Sequence, residues 1–220
     1  MNNYKILLLF LGSLSLALIS GCSSTHVSLH GEFPSPLVHS IPLTAQLQTS
    51  DEFLNYSYKE DAEDRSKFKI ELGSTQLNLF DSVFSTLFQN YLGTDSLTDD
   101  APDLIIQPEL TELQYSTPRE NNSKIFEIWL SYKIAISDKN NQLIQEWPIS
   151  AYGKSTSALV GSAKEGFFDA AMMALRDLGV SLTLKLPKQP QVQQLVQTKQ
   201  LAQTKQPIQG KPFQQGENTQ

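Results

Sequence analysis

Cysteine is almost absent from this sequence of 220 residues, and the single one, Cys22, lies close to the N-terminus. The rest of the chain holds no thiol, which excludes a disulfide, a thiol nucleophile and a cysteine-ligated metal site there. Histidine is also scarce, since His26, His30 and His39 all precede residue 40. Beyond that point the chain lacks the usual general base of hydrolases. We therefore expect no catalytic site, no cofactor and no bound metal.

Long apolar runs are missing too, with one exception near the N-terminus. Residues 6–19 are almost entirely apolar, follow Lys5 and precede the small residues Ser20 and Gly21. A spanning helix needs ~20 apolar residues, so this run is short for a membrane helix. A charged start, an apolar core and a small-residue cleavage site are typical of a secretory signal. The sequence predicts a signal peptide at 1–21.

The residues around the cysteine are more specific. The tetrapeptide at 19–22, Ile-Ser-Gly-Cys, resembles the lipobox of bacterial lipoproteins. In that family the cysteine sulfur receives a diacylglyceryl group, the peptide is cut before the cysteine, and the new N-terminus is acylated. The resemblance implies lipid attachment at Cys22, and several acyl chains hold a protein firmly to a membrane. Ser23 and Ser24 follow in place of an aspartate, which by analogy implies the outer membrane of a Gram-negative bacterium, on its periplasmic face. An ordinary signal peptide with a chance cysteine is the alternative.

Charge and composition divide the remaining chain unevenly. Residues 23–184 carry 22 acidic and 11 basic side chains, which argues against a nucleic-acid partner. Residues 187–220 contain 12 glutamines and four prolines, and this composition predicts a disordered tail at 187–220. The tail is either a basic arm that touches an anionic envelope polymer or a neutral extension. Residues 22–40 show no sustained period and predict a flexible tether after the lipidated N-terminus.

The segment between tether and tail has the periodicity of a folded domain. Short alternating runs predict strands, and apolar residues at a 3.6-residue spacing predict an aromatic-faced helix over 77–91. A capping box at Ser162 and Glu165 opens a second helix, and the run at 180–186 predicts a closing strand. The order predicts an α+β domain at 41–186, a two-layer sandwich. Two amphipathic helices would cover one face of a mostly antiparallel sheet of four or five strands.

One side of that sheet is expected to stay open. Ile125 and Trp129 lie on the second face of a central predicted strand, opposite its buried apolar residues. Exposed apolar patches mark partner surfaces, so these two residues are candidates for a face that docks a protein partner. Cover by the N-terminal tether is the alternative interpretation.

This element order after a lipobox resembles several envelope lipoproteins. They include the lipopolysaccharide-assembly lipoprotein, the auxiliary lipoproteins of ABC-type transport systems, and the small α/β module of the Tol-system propeller protein. The resemblance implies a non-catalytic accessory or scaffold role in envelope transport or assembly. A peptidoglycan-binding or lipid-binding lipoprotein is an alternative, and a deep apolar cavity would favour lipid carriage. A glycan hydrolase is a further alternative, in which two of the four carboxylates Glu109, Glu112, Glu127 and Glu146 would act as the catalytic pair.

Overall fold

The computed structural model describes residues 25–61, 67–94, 101–156 and 161–204. The predicted signal peptide at 1–21, the lipobox and Cys22 lie outside the described residues. Within the described residues the strands are β1 (Thr25–Ser28), β2 (Ile41–Leu47), β3 (Ser57–Glu60), β4 (Phe68–Glu71), β5 (Phe88–Leu92), β6 (Leu104–Ser116), β7 (Phe126–Ser137) and β8 (Leu143–Ser155). The helices are α1 (Asp51–Leu54), α2 (Gly73–Leu87), α3 (Ala163–Lys185) and α4 (Pro190–Thr204), with a 3-10 turn at Leu186–Lys188.

The larger sheet has five strands in the order β5-β2-β6-β7-β8. The long ladders, β6 with β7 and β7 with β8, are antiparallel. Strand β2 runs parallel to both of its neighbours, β5 and β6. A parallel neighbour needs a crossover connection, and α2 lies in the crossover between β2 and β5. The predicted α+β fold is confirmed, with a sheet that is mixed because of β2.

Helices α2 and α3 cover one face of this sheet. The covered face of β7 consists of the alternating buried residues Phe126, Ile128, Leu130, Tyr132, Ile134 and Ile136. Helix α3 packs on β7 and β8, and α2 packs beside it. Gly153 of β8 permits the close approach, because a Cβ there would collide with the backbone of α3 at Ala170 and Ala174. The small residues of β8 and α3 therefore allow the helix layer to pack closely on the sheet.

A second sheet of three strands, in the order β1-β4-β3, was not predicted. Strand β1 runs parallel to β4, and Val27 and Leu29 are buried. The segment then follows α3, with the His30 ring against Phe168 at 6.2 Å between centroids. The prediction of a flexible tether over 22–40 is therefore wrong for residues 25–29, whereas residues 31–40 form no helix or strand. A four-residue strand shows too little alternation to be recognised, and its partner lies far away in sequence.

The aromatic helix ends earlier than its spacing predicts. Helix α2 stops at Leu87, and Phe88 already begins β5. Phe84 contacts the rings of both Phe88 and Tyr91, at 5.8 and 6.2 Å between centroids. The predicted stripe thus does form one aromatic cluster. Its last members reach that cluster from a strand, because pairing with β2 replaces the final helical turn.

Helix α3 begins as predicted and ends later. Ser162 caps it, and the reciprocal hydrogen bonds with Glu165 form the predicted capping box. The closing strand predicted at 180–186 is wrong, because the helix continues to Lys185. Leu178, Leu182 and Leu186 repeat every fourth residue and are all buried, so packing overrides the strand preference of the valine and threonine nearby.

The C-terminal segment contains a helix where a disordered tail was predicted. In α4, Val192 is only 1% exposed, and Leu195 and Val196 pack against the core. Lys199 Nζ lies 2.5 Å from Asp103 Oδ2. The four side chains have the i, i+3, i+4, i+7 spacing of one helix face, and glutamine is a good helix former. The prediction of a disordered tail is therefore wrong for Pro190–Thr204.

A buried polar contact joins α1, α2 and β7. The Tyr132 hydroxyl donates to Gln76 Oε1 at 2.9 Å, and Gln76 Nε2 donates to the Phe53 carbonyl at 2.6 Å. Burial raises the pKa of Tyr132, so its hydroxyl keeps the proton that it donates. The contact satisfies polar groups that would otherwise be unpaired within the core.

Candidate functional site

The second face of the five-stranded sheet is polar and carries the candidate residues. Exposed side chains on it come from alternate positions of the three long strands, namely Gln107, Glu109, Glu112 and Gln114 of β6, Trp129 of β7, and Glu146, Ser150, Tyr152 and Lys154 of β8. We call this surface the open face. Neighbouring strands present their side chains side by side on it at ~5 Å intervals.

The open face holds one pair of aromatic rings. Trp129 and Tyr152 are direct partners across β7 and β8, with ring centroids 5.3 Å apart. They are 38% and 37% exposed, so about a third of each side chain contacts solvent. We call them the aromatic pair. The exposure of Trp129 agrees with the sequence analysis, which did not identify Tyr152. The polar turn between β7 and β8 sets the register of this hairpin, and counting residues outward from the turn would have paired Trp129 with Tyr152.

Hydrogen bonds fix Tyr152 on both sides. Its hydroxyl donates to Glu127 Oε1 at 2.6 Å, which raises the pKa of Tyr152 because the neutral phenol is the donor. Asn121 Nδ2 donates to the other oxygen of the same carboxylate at 3.1 Å. The backbone N–H of Tyr152 donates to Asp177 Oδ2 of α3 at 3.1 Å. The ring is therefore held in place before any partner arrives, and α3 covers part of the β8 edge.

Ile125, the other residue predicted for the docking face, lies in different surroundings. It precedes β7 and is partly buried. It lines a hollow of about 480 Å³ between β8 and α3, together with Lys154, Asp169, Met173 and Arg176. The structure thus places Ile125 at the start of β7 and beside this hollow, and the aromatic pair is an apolar feature of the open face.

The carboxylates considered for glycan hydrolysis also lie on the open face. Glu109 and Glu146 share one cation, since Lys133 Nζ is 2.7 Å from the first and 3.7 Å from the second. The two carboxylates raise the pKa of Lys133, with the hydrogen bond to Glu109 as the larger cause. Glu112 accepts a hydrogen bond from Gln114 at 2.6 Å. These groups thus form solvent-exposed ion pairs and hydrogen bonds, and Glu109 also lines a hollow of about 600 Å³ beside α1.

The helix side carries an apolar groove of about 410 Å³. Leu79 and Val83 of α2 and Gly179 of α3 line it, and the segment 33–36 borders it. Val180 and Leu184 of α3 are more than half exposed at its rim. This groove lies on the surface, whereas rings such as Phe80 and Tyr132 fill the space between α2 and the sheet.

The histidines lie outside the open face. His26 Nε2 is 3.1 Å from Glu71 Oε1, and Lys69 Nζ is 2.5 Å from the same atom. Hydrogen bonds from Lys69, His26 and Ser28 lower the pKa of Glu71 from its ordinary 4.5 to about 2. His39 is exposed.

Within 25–61, 67–94, 101–156 and 161–204, no group of three or more His, Cys, Asp or Glu side chains could hold a metal ion. Among the helices of those same residues, none has the length and apolar character to cross a membrane.

Comparison with known proteins gives a likeness of fold. No protein-family model matches the chain, and no curated protein matches it in sequence. A crystal structure from Xanthomonas campestris, assigned to the family DUF330, is 8% identical with a TM-score of 0.47, covering 82% of this chain and 98% of that one. The minor lipoprotein of Acinetobacter baumannii is 13% identical with a TM-score of 0.37, covering 74% and 96%. Rare lipoprotein B of Shewanella oneidensis is 12% identical with a TM-score of 0.33, covering 73% and 96%.

The solved structures that this chain resembles thus include bacterial lipoproteins. Two of those reported above carry the name lipoprotein, the class of protein that the lipobox and the element order resemble. At these identities and TM-scores, the likeness concerns the general fold.

Proposed function

We propose that this chain is a non-catalytic lipoprotein of the outer membrane, anchored through Cys22 with its domain in the periplasm. Its role is that of an accessory or scaffold component in a complex that transports or assembles envelope material. It docks a protein partner through the aromatic pair, Trp129 and Tyr152, on the open face. The lipobox supports the anchor, and the open face supports the docking role.

The aromatic pair is the observation that carries this proposal. Tryptophan and tyrosine dominate the energetics of protein interfaces, because each buries a large area at a small cost in side-chain freedom. Here the two rings already contact each other, and Tyr152 is fixed by Glu127. Burying them requires little further ordering. The polar groups around them match the polar rim of a typical interface.

The docking role is tested by substituting Trp129→Ala and extracting the lipidated protein in mild detergent with its bound chains. Trp129 is outside the core, so the variant should melt within a few degrees of the natural protein and recover much less of the partner. Val180→Ala removes another exposed apolar side chain, from α3, and should leave recovery unchanged. Equal recovery by the Trp129 variant and the natural protein would refute docking through this pair.

The anchor is tested separately with labelled fatty acid. Cys22→Ala should carry no label and should stay uncut or soluble, whereas Ser24→Ala should be labelled as the natural chain is. Label in the Cys22 variant would contradict the lipoprotein assignment.

Peptidoglycan binding is the second candidate, and the groups beside the aromatic pair favour it. Glu127 and the hydrogen-bonded Gln114 and Glu112 flank two flat rings, and such groups can pair with sugar hydroxyls. Sedimentation with purified peptidoglycan distinguishes the two functions. Binding that is lost in Trp129→Ala would support this candidate, and absence of binding by the natural protein would exclude it.

A further inference from the structure

The folded domain begins very close to the proposed lipid anchor. Strand β1 starts at Thr25, three residues after Cys22, and pairs with β4 from its first residue. Val27 and Leu29 are buried, so this strand belongs to the core. A chain extends at most ~3.3–3.6 Å per residue, so three residues span about 11 Å at most. The link between Cys22 and the folded domain is therefore very short, in place of the 18 residues that a tether ending at residue 40 would provide.

The contacts of β4 show which end of the domain this link leaves from. Thr25 pairs with Phe68, the first residue of β4. The Phe68 ring lies 4.5 Å, between centroids, from both Tyr115 near the end of β6 and Phe167 near the start of α3. Phe167 in turn contacts Phe126, the first residue of β7, at 4.7 Å. The start of β1 thus lies at the same end as the β6–β7 loop, and we call this end the anchor end.

We propose that the anchor end of the domain lies directly against the headgroups of the membrane that holds Cys22, so that the strands of the five-stranded sheet rise away from that membrane. This inference rests on the proposed lipid anchor. A link of about 11 Å is far shorter than β7, whose 12 residues span about 40 Å. The domain therefore cannot be inverted, with its far end at the membrane and its anchor end away from it, nor can it move away by its own length.

The side chains at the anchor end are of mixed charge. Arg119 and Lys124 are exposed in the β6–β7 loop, Lys154 near the end of β8 and Lys164 at the start of α3. Glu60 and Glu120 lie at the same end, and Glu165 there is held by the capping box of α3. The long basic side chains can reach the phosphate groups of a headgroup layer.

This orientation fixes the height of the docking surface. Trp129 is the fourth residue of β7, so it lies about 10 Å above the anchor end along the strand. The aromatic pair would therefore meet the part of a partner that lies next to the membrane.

The experiment compares two lysines at opposite ends of β7. Lys124 precedes the strand and Lys139 follows it, and both are exposed. Because lipidation blocks the sulfur of Cys22, Lys124→Cys or Lys139→Cys provides a single thiol for a fluorophore. Each lipidated full-length protein is placed in vesicles of phosphatidylethanolamine and phosphatidylglycerol that contain a lipid with a nitroxide on its headgroup. Quenching should be several-fold stronger at position 124 than at 139.

A control variant carries 20 Gly/Ser residues inserted between Ser24 and Thr25. That linker has a reach of about 25 Å, so the difference between the two positions should largely disappear. Equal quenching at both positions of an acylated natural chain would overturn this inference and leave the anchor intact. A chain that lacks acyl groups by mass spectrometry and stays off the vesicles would overturn the anchor and the inference together.

Discussion

The buried contact between Tyr132 and Gln76 provides a sharp test of the core. Tyr132→Phe removes only the hydroxyl, which donates to Gln76 Oε1 at 2.9 Å. Both side chains are inaccessible to solvent, so water cannot replace the lost donor. The amide oxygen of Gln76 would then be buried without its partner.

An unsatisfied buried polar group costs about 1–3 kcal/mol of unfolding free energy. For a domain of this size, each kcal/mol shifts the melting temperature by about 2–4 °C, so Tyr132→Phe should lower it by roughly 2–12 °C. Gln76→Leu should cost a similar amount, because it leaves the tyrosine hydroxyl unpaired. Gln76→Leu also removes the hydrogen bond from Gln76 Nε2 to the Phe53 carbonyl. This loss costs less, because a backbone N–H of the α1 cap still donates to that carbonyl.

The double variant Tyr132→Phe/Gln76→Leu distinguishes this account from simple loss of packing. It places two apolar groups of similar shape together, and such replacements are nearly neutral. We expect it to be more stable than the sum of the two single changes predicts, as measured by thermal and urea unfolding of all four proteins. Strictly additive losses, or a Tyr132→Phe protein as stable as the natural one, would show that the hydrogen bond contributes nothing to this core.

Four further changes test the remaining features by their melting temperatures. A chain that ends at Lys188 should melt several degrees lower than one that ends at Thr204, because it lacks the buried face of α4; equal melting would contradict the docking of that helix. Phe84→Ala should cost about 3–5 kcal/mol by emptying a fully buried ring position, and a loss below 1 kcal/mol would argue against its burial. Gly153→Ala should cost about 1–3 kcal/mol, since its Cβ meets the α3 backbone; unchanged melting would mean that α3 sits further from β8. Glu71→Gln should lower the melting temperature at pH 7. The difference from the natural protein should shrink as pH falls from 4.5 toward 2, because the pKa of Glu71 is lowered to about 2 and the stabilisation by its charged form is lost in that window. A difference that does not depend on pH would refute this ion pairing.

Much of the sheet could be predicted from the sequence. Strands β6, β7 and β8 are long, and their alternation alone separates the buried Ile128 and Leu130 from the exposed Trp129. The capping box at Ser162 and Glu165 is equally local, because its hydrogen bonds join residues three apart. The open face follows from the same alternation, so the exposure of Trp129 can be predicted from the sequence, whereas its contact with Tyr152 depends on the hairpin register.

The errors share one physical origin. Strand β1 is four residues long and pairs with β4 far along the chain, so no local period reveals it. Phe88 has the spacing of a helix residue, yet pairing with Ile41 of β2 makes it part of a strand. The residues of α4 are compatible with a helix, but the burial of Val192 and the ion pair of Lys199 with Asp103 are tertiary contacts that a glutamine-rich composition does not reveal.

The sequence by itself determined which residues alternate, which helix face is apolar and where the proposed lipid anchor lies. Tertiary structure alone decided that β1 joins the core, and so that the anchor lies about 11 Å or less from the domain. The reason is that a short segment is ordered by partners distant in sequence, whose contribution appears only when the chain has folded around them.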